Sequence, residues 1–253
     1  MKAFLSQTVR LMLPYRCAVC GRVSDAEDRM SYISSRYREY FNEESRIHVC
    51  GKCLSSIRPY KPENRWQLCL SEPLPGDIIA SQALFIAIPY VDLITHVIPA
   101  IKFSMQKDLA RLMGIILSEI LRCEKISADL VVPVPLSDAR KDQRGFNQAE
   151  EMSVPVAGML KLPMVTDCLI RNRHTGRQTE TRDRYERMKN IEEAFEVSGS
   201  WDIEGLTVIL IDDVATTGFT MHEAALALYK AGASKVLCVA LAGNRLIKNA
   251  EAF

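Results

Sequence analysis

The segment Val208-Ile-Leu-Ile-Asp-Asp-Val-Ala-Thr-Thr-Gly-Phe-Thr220 decides both the fold and the chemistry. Its apolar start, from Thr207 to Ile211, reads as a buried parallel strand. The strand delivers two adjacent acids, Asp212 and Asp213, to its carboxyl end, where open α/β sheets bind ligands. A short loop of Ala215, Thr216, Thr217 and Gly218 then leads into a helix expected over Met221–Ala231. Backbone N–H groups and the helix dipole make such a loop an anion cradle. Thr216, Thr217 and Thr220 add hydroxyls, and Gly218 lets the backbone come close to a phosphate. Like charge bars Asp212 and Asp213 from phosphate itself, so they belong on sugar hydroxyls or beside a magnesium ion. Simple helix capping is the plainer alternative, but paired acids at a strand end are costly without a ligand. No Gly-x-x-x-x-Gly-Lys-Ser/Thr pattern occurs, which excludes a P-loop.

Working outward, Gly232 ends the helix and Lys235–Leu241 forms another strand. Upstream, Leu130–Val134 and Ala83–Ile88 read as buried strands. Between them, Asp92 can cap a helix whose face carries Leu93, Val97, Ile98 and Ile101, and a second helix covers Lys107–Arg122. A basic loop, Arg140–Asn147, precedes a helical pattern that Pro155 should kink or split. Strand, loop, helix and strand in this order imply an α/β domain, a mostly parallel sheet with flanking helices. Pro59, Pro62, Pro73 and Pro75 discourage regular structure, which sets an expected boundary between residues 1–75 and 76–253.

The first of these regions carries Cys17-x-x-Cys20 and Cys50-x-x-Cys53, with 29 residues between the pairs. Two such knuckles supply the four tetrahedral ligands of a structural zinc and leave no open position for catalysis. His48 could replace one thiolate or be an ordinary packing histidine. Cys69, Cys123, Cys168 and Cys238 lack partners at ligand spacing and read as small apolar fillers. Residues 1–75 hold 12 Lys/Arg against 8 Asp/Glu, with Glu39, Glu43 and Glu44 interleaved among Arg36, Arg38 and Arg46. That pattern suits a scaffold better than a nucleic-acid surface, though both remain open. The remaining residues carry 20 Lys/Arg against 23 Asp/Glu, so neither part has the charge of a basic nucleic-acid domain.

The strand–Asp-Asp–Val-x-Thr-Thr-Gly-x-Thr pattern resembles the phosphoribosyl-pyrophosphate (PRPP) signature of the type I phosphoribosyltransferases. That likeness implies that Asp212 and Asp213 hold the ribose hydroxyls, and that Ala215 to Thr220, after Val214, wrap the 5′-phosphate. Further motifs resemble the ComF family, which joins a zinc ribbon to such a domain. Val132-Pro-Val-Pro135 and Arg144-Gly-Phe-Asn147 are similar to its second strand-end loop, where the diphosphate would lie. Lys102-Phe103 resembles its Lys-aromatic pair. Arg173-His-Thr-Gly-Arg-Gln178, with Arg187, Asn190 and Phe195, resembles its Arg/Gln-rich arm. Pro155 and Thr181 depart from the pattern.

The resemblance implies a magnesium-dependent phosphoribosyltransferase, with Asp212, Asp213, Arg144, Arg173 and Arg187 as catalytic residues and Pro135 and Lys102 as further PRPP contacts. Arg140 and Lys141 could join Arg144 on the diphosphate. The segment Arg171–Lys189, with seven Lys/Arg and His174, is a lid or a solvated helical arm. Lys102 is a phosphate contact or a solvated helix end. No general base stands out, since His222 reads as a helix-surface residue and His96 as structural, so the acceptor stays unidentified. The resemblance equally implies a non-catalytic PRPP sensor or a competence accessory protein in DNA uptake, whose zinc module would touch single-stranded DNA or a helicase partner. No run approaches the roughly 20 apolar residues of a membrane span. With no secretory signal evident, a cytoplasmic protein is expected. The oligomeric state is open, and a dimer is compatible with the sequence.

Overall fold

The structure, a computed structural model, describes residues 16–23, 35–41, 47, 49–68, 83–103, 106–171 and 194–244. Its centre is a five-stranded sheet of β1 (Trp66–Leu68), β2 (Ala83–Pro89), β3 (Leu130–Pro133), β6 (Thr207–Ala215) and β7 (Lys235–Gly243). The spatial order is β1-β2-β7-β6-β3. All neighbours pair in parallel except β1, which runs antiparallel on the β2 edge. A second, two-stranded antiparallel sheet joins β4 (Leu169–Arg171) to β5 (Phe195–Val197).

The helices are α1 (Gly51–Ser56), α2 (Ile94–Phe103), α3 (Lys107–Arg122), α4 (Asp138–Arg144), α5 (Gln148–Leu160) and α6 (Phe219–Lys230). Strand periodicity divides the core in two. Phe85, Val131, Ile209, Ile211, Leu237 and Val239 pack with the apolar faces of α2, α3 and α5. Leu84, Val132, Val208, Leu210 and Val236 pack with α6, β4 and β5 on the other face. The expected face of α2 is buried through Val97, Ile98 and Ile101. Asp92 does not cap that helix with its side chain. It takes φ 47°, and its carbonyl accepts the Thr95 hydroxyl at 2.6 Å.

Two expectations change. Pro155 lies inside α5 without splitting it, and the helix continues to Leu160. Its ring sits opposite Gly114 of α3, where an added Cβ would come within 2.7 Å of Pro155 Cγ and press on the Met152 carbonyl. The absence of a side chain there lets the two helices close around the proline. The stretch after Pro59 is also more regular than its prolines suggested. A 3-10 turn over Pro62–Asn64 leads into β1, and the Tyr60 N–H donates to the Ala87 carbonyl at 2.8 Å. Proline at the first position of a turn and an edge strand that follows it are both compatible with the missing N–H.

The cysteine-bearing region is bound to this body. Cys17, Val49, Cys50 and Cys53 share a core with α2 and α3. Tyr37, in a 3-10 helix over Ser35–Tyr40, donates its hydroxyl to Glu119 Oε1 at 2.5 Å. Arg65 meets Glu124 at 2.8 Å, and Trp66 Nε1 donates to the same carboxylate at 3.0 Å. Among the described residues no helix is long and apolar enough to cross a membrane.

Candidate functional site

Strand β6 extends further than its apolar run, reaching Ala215, because main-chain pairing with β7 continues from Asp212 opposite Ala240 to Ala215 opposite Gly243. The acids are therefore held in a regular strand at the sheet's carboxyl end. Alternation sends them to opposite faces. Asp213, 7% exposed, lies on the α2 side, where Lys102 Nζ meets its Oδ2 at 2.7 Å. Asp212 Oδ1 accepts the Asp213 backbone N–H at 2.8 Å. Burial, and then the charge of Asp213, push the Asp212 carboxyl up to about 7, against the smaller opposing pull of the Asp213 N–H and Lys102.

After β6 the chain turns through Thr216 and Thr217, both exposed, to Gly218. Gly218 adopts φ 75°, a left-handed conformation that glycine enters without a Cβ penalty, and forms the N-cap of α6. Thr217 Oγ1 accepts the Phe219 N–H at 3.4 Å, while Thr220 is half-buried in the first helical turn. Val214 and Ala215 precede this turn, so the acid pair and the hydroxyl-bearing loop form one continuous strand-to-helix junction.

The β3 end is stitched beside it. The Val134 N–H donates to the Ile211 carbonyl at 2.8 Å, and Asn147 Nδ2 donates to the Val134 carbonyl at 3.0 Å. Asn147 also caps α5 by accepting the Ala149 N–H at 3.1 Å. Pro135 follows β3, and the expected basic loop contains a helix, α4, that ends at Arg144. The Arg144 guanidinium lies 5.8 Å from the centre of the Phe103 ring and donates to Gln148 Oε1 at 3.2 Å. Phe103 follows Lys102, so the end of α2 carries both the lysine that meets Asp213 and the ring beside Arg144.

On the opposite face, Arg171 ends β4 with its guanidinium 5.3 Å from the Phe195 ring centre. Burial and neighbouring Arg140 lower its pKa, while the charge of Asp212 acts the other way. Sequence reading included Arg171 only as the first residue of the arm; its place on a strand beside Phe195 required the two-stranded sheet. Arg173 and Arg187 lie outside the described residues, as do His48, Cys69 and the rest of the arm through residue 193. His222 is buried, not on the helix surface, because the first turn of α6 rests against the sheet. His96 on α2 and Cys123 just after α3 are exposed, contrary to the packing roles expected of them.

The four cysteines of the paired knuckles converge. Their sulfurs all lie within 4.8 Å of one another, and Cys20 and Cys50 Sγ are 3.8 Å apart. A tetrahedral thiolate set about 2.3 Å from zinc has sulfurs about 3.8 Å apart, so these four could hold such a metal. Burial drives the Cys17 thiol up, but backbone N–H groups of Cys20, Cys50 and Val19 outweigh it and bring it down to about 7. Burial raises Cys50 and Cys53. Amides directed at one sulfur are the electrostatic preparation that a metal thiolate needs.

Comparison with known proteins bears on this arrangement. Residues 111–250 match the phosphoribosyl transferase domain family. DNA utilization protein YhgH of Salmonella typhimurium is 30% identical over 197 residues, covering 76% of this chain and 82% of that protein. Competence protein F of Haemophilus influenzae is 29% identical over 195 residues, covering 74% and 81%. Competence protein ComFC of Bacillus subtilis is 32% identical over 108 residues, covering 41% and 39%.

Proposed function

This chain belongs to the ComF family of phosphoribosyltransferase-domain proteins, and we propose that it binds PRPP at the β6–α6 junction and transfers the phosphoribosyl group. The observation that carries this reading is the acid pair of β6, continuous with the Thr216–Thr220 loop and flanked by Lys102 and Arg144. Asp212 and Asp213 would accept hydrogen bonds from the ribose hydroxyls. The N-terminus of α6, with Thr216, Thr217 and Thr220, would hold the 5′-phosphate. Arg144, joined by Pro135 and by Arg173 and Arg187 of the arm, would serve the diphosphate.

In the transfer, the bond from the anomeric carbon to diphosphate breaks and its electron pair leaves with the diphosphate. A nucleophilic atom of the acceptor forms the new bond and gives up its proton to solvent. Guanidinium groups stabilise the charge growing on the leaving group, and the acids hold the ribose while the anomeric carbon gains cationic character. The half-buried Asp212 carboxylate would help to hold magnesium, a hard cation, which would supply neutralisation of leaving-group charge. Zinc at Cys17, Cys20, Cys50 and Cys53 would be structural, because four thiolates complete its shell. Residues 1–75 would thus form a metal module and 76–253 the transferase domain, joined through β1. A screen of amine and base acceptors for diphosphate release tests the activity. Release with some acceptor, lost in Asp212→Asn/Asp213→Asn, is expected; release that never depends on these acids would overturn it.

A second reading has its own support in the names of relatives that act in DNA utilization and competence. Here the protein is a PRPP-responsive accessory of DNA uptake, with the metal module touching single-stranded DNA or a helicase. Salt-dependent binding of a single-stranded oligonucleotide by the full chain is its test. No binding at low salt would sink direct DNA contact.

A further inference from the structure

The four converging cysteines differ in their access to solvent. Cys17, Cys50 and Cys53 are buried in the core shared with α2 and α3, whereas Cys20 is exposed. The difference follows from the first knuckle. The Cys17 N–H donates to the Arg22 carbonyl at 2.8 Å, and the Gly21 N–H donates to the Cys17 carbonyl at 2.9 Å. The chain thus closes a tight turn with Cys17 at its inner end. Gly21 takes φ 69° at the far side, where nothing lies within 4 Å of an added Cβ. Cys20 stands next to it, on the open side of the turn. Cys50 comes from the other knuckle. Its carbonyl accepts the Leu54 N–H at 3.0 Å, and its own N–H donates to Cys17 Sγ at 3.3 Å. These bonds fix its backbone, with its sulfur 3.8 Å from Cys20 Sγ.

Cysteine oxidation follows thiolate character and exposure. A metal held by four sulfurs keeps all of them deprotonated, so ionisation does not choose among them. Access does, and it favours Cys20. A sulfur–sulfur bond is about 2.05 Å long, so the 3.8 Å gap to Cys50 closes with a movement of about 1.8 Å. A side chain on an exposed turn can make that swing.

We propose that Cys20 is an oxidant-reactive site with Cys50 as its resolving partner, which makes the cysteine centre a reversible, peroxide-responsive switch. The Cys20 thiolate attacks one oxygen of hydrogen peroxide. The O–O bond breaks, the sulfur keeps one hydroxyl as a sulfenic acid, and hydroxide leaves. The Cys50 thiolate then attacks the Cys20 sulfur, forms the disulfide and expels a second hydroxide. Two protons from solvent turn both hydroxides into water, so two thiolates lose the two electrons that peroxide gains. Cys17 and Cys53 alone are too few for a tetrahedral ion, and the metal leaves. The new bond joins the same two knuckles that the metal joined, which keeps them side by side until a thiol reductant restores the set. The inference rests on the metal reading of the four cysteines and is independent of PRPP.

The test is hydrogen peroxide treatment of the full-length, zinc-loaded protein. Zinc release is followed with a chromogenic chelator, and the products are mapped by mass spectrometry. Trypsin places the sulfurs on residues 17–22, 47–52 and 53–65, because Arg58 and Lys61 are each followed by proline. One equivalent of zinc should leave in step with a link between 17–22 and 47–52, and fragmentation should place that link on Cys20. Dithiothreitol with added zinc should reverse both changes. Cys123, also exposed but outside the cluster, reports when the oxidant has consumed an ordinary surface thiol. Zinc retained after Cys123 is fully oxidised would overturn the proposal, as would zinc release without a disulfide. A main product linked within 17–22, or between 47–52 and 53–65, would overturn it equally. A Cys20–Cys50 link in protein that takes up no zinc would uphold the reactive pair and overturn the metal reading.

Discussion

At the cysteine centre, four sulfurs face one another inside a core shared with α2 and α3. At the end of β6, two carboxylates share a strand terminus, one pushed up to about 7 by burial and by the other's charge, with buried unpaired donors on Arg144 and Gln148 where α4 ends and α5 begins. The first site would be complete once a single ion joined it, with all four ligand positions filled. The second is built of groups that disfavour one another in the absence of ligand. Under the proposed function, such a contrast separates residues kept for stability from residues kept for binding. Both sites lie on one body, because Tyr37, Arg65 and Trp66 tie the cysteine-bearing region to α3 and the segment that follows it.

The contrast breaks most visibly at the cysteines. Cys50→Ser should lose the metal and cost about 3–5 kcal/mol, lowering the melting temperature by roughly 10 °C or more. Calorimetric melting with metal analysis checks this. A metal-free variant that melts like the parent would mean that the centre is not structural. The acid pair should behave in the opposite way. Asp212→Asn removes the like-charge repulsion at the strand end while keeping the Lys102–Asp213 ion pair, and should leave the melting temperature unchanged or raise it by a few degrees, an effect of about 1 kcal/mol. Marked destabilisation would place this acid with the structural set.

A pH series sharpens the same point. The folded-state carboxyl of Asp212 is raised to about 7, so between the ordinary carboxylate range and pH 7 the folded protein holds a proton that the unfolded chain has lost. Its contribution to stability therefore falls as pH rises from about 4 to about 7 and is flat above. Urea unfolding across that window should show the decline in the parent, with less slope in Asp212→Asn. Ligand binding should run the other way and strengthen towards pH 7, because ionised Asp212 is the better acceptor for a ribose hydroxyl. The smallest effect concerns the tie between the regions. Tyr37→Phe removes the hydroxyl from Glu119 and should cost about 1 kcal/mol, roughly 3 °C in melting temperature, with ligand affinity unchanged.

Much of this contrast could be read from the chain. The knuckle spacing carried the cysteine cluster, since two turns with fixed internal spacing need only be brought face to face. The apolar runs marked four strands of the main sheet, and the Asp-Asp strand with its Thr/Gly loop marked the junction. Other features depend on contacts that periodicity does not encode. Pro155 remains within α5 because Gly114, 41 positions away, leaves room for it. β1 exists because an exposed edge of β2 was there to be paired. Burial of His222, the stacking of Arg171 on Phe195, and the unpaired donors of Gln148 and Arg144 all arise from packing between distant elements. Gln148 in particular looks like an ordinary helix-start residue until its neighbours are in place.

The measurement that bears most directly on the central claim is calorimetric titration of PRPP, with magnesium, into the zinc-loaded protein and its Asp212→Asn/Asp213→Asn variant. The account predicts micromolar binding, about −8 kcal/mol, that the double substitution abolishes while the variant stays folded. Absence of heat with well-folded parent protein, or equal binding by parent and variant, would contradict it.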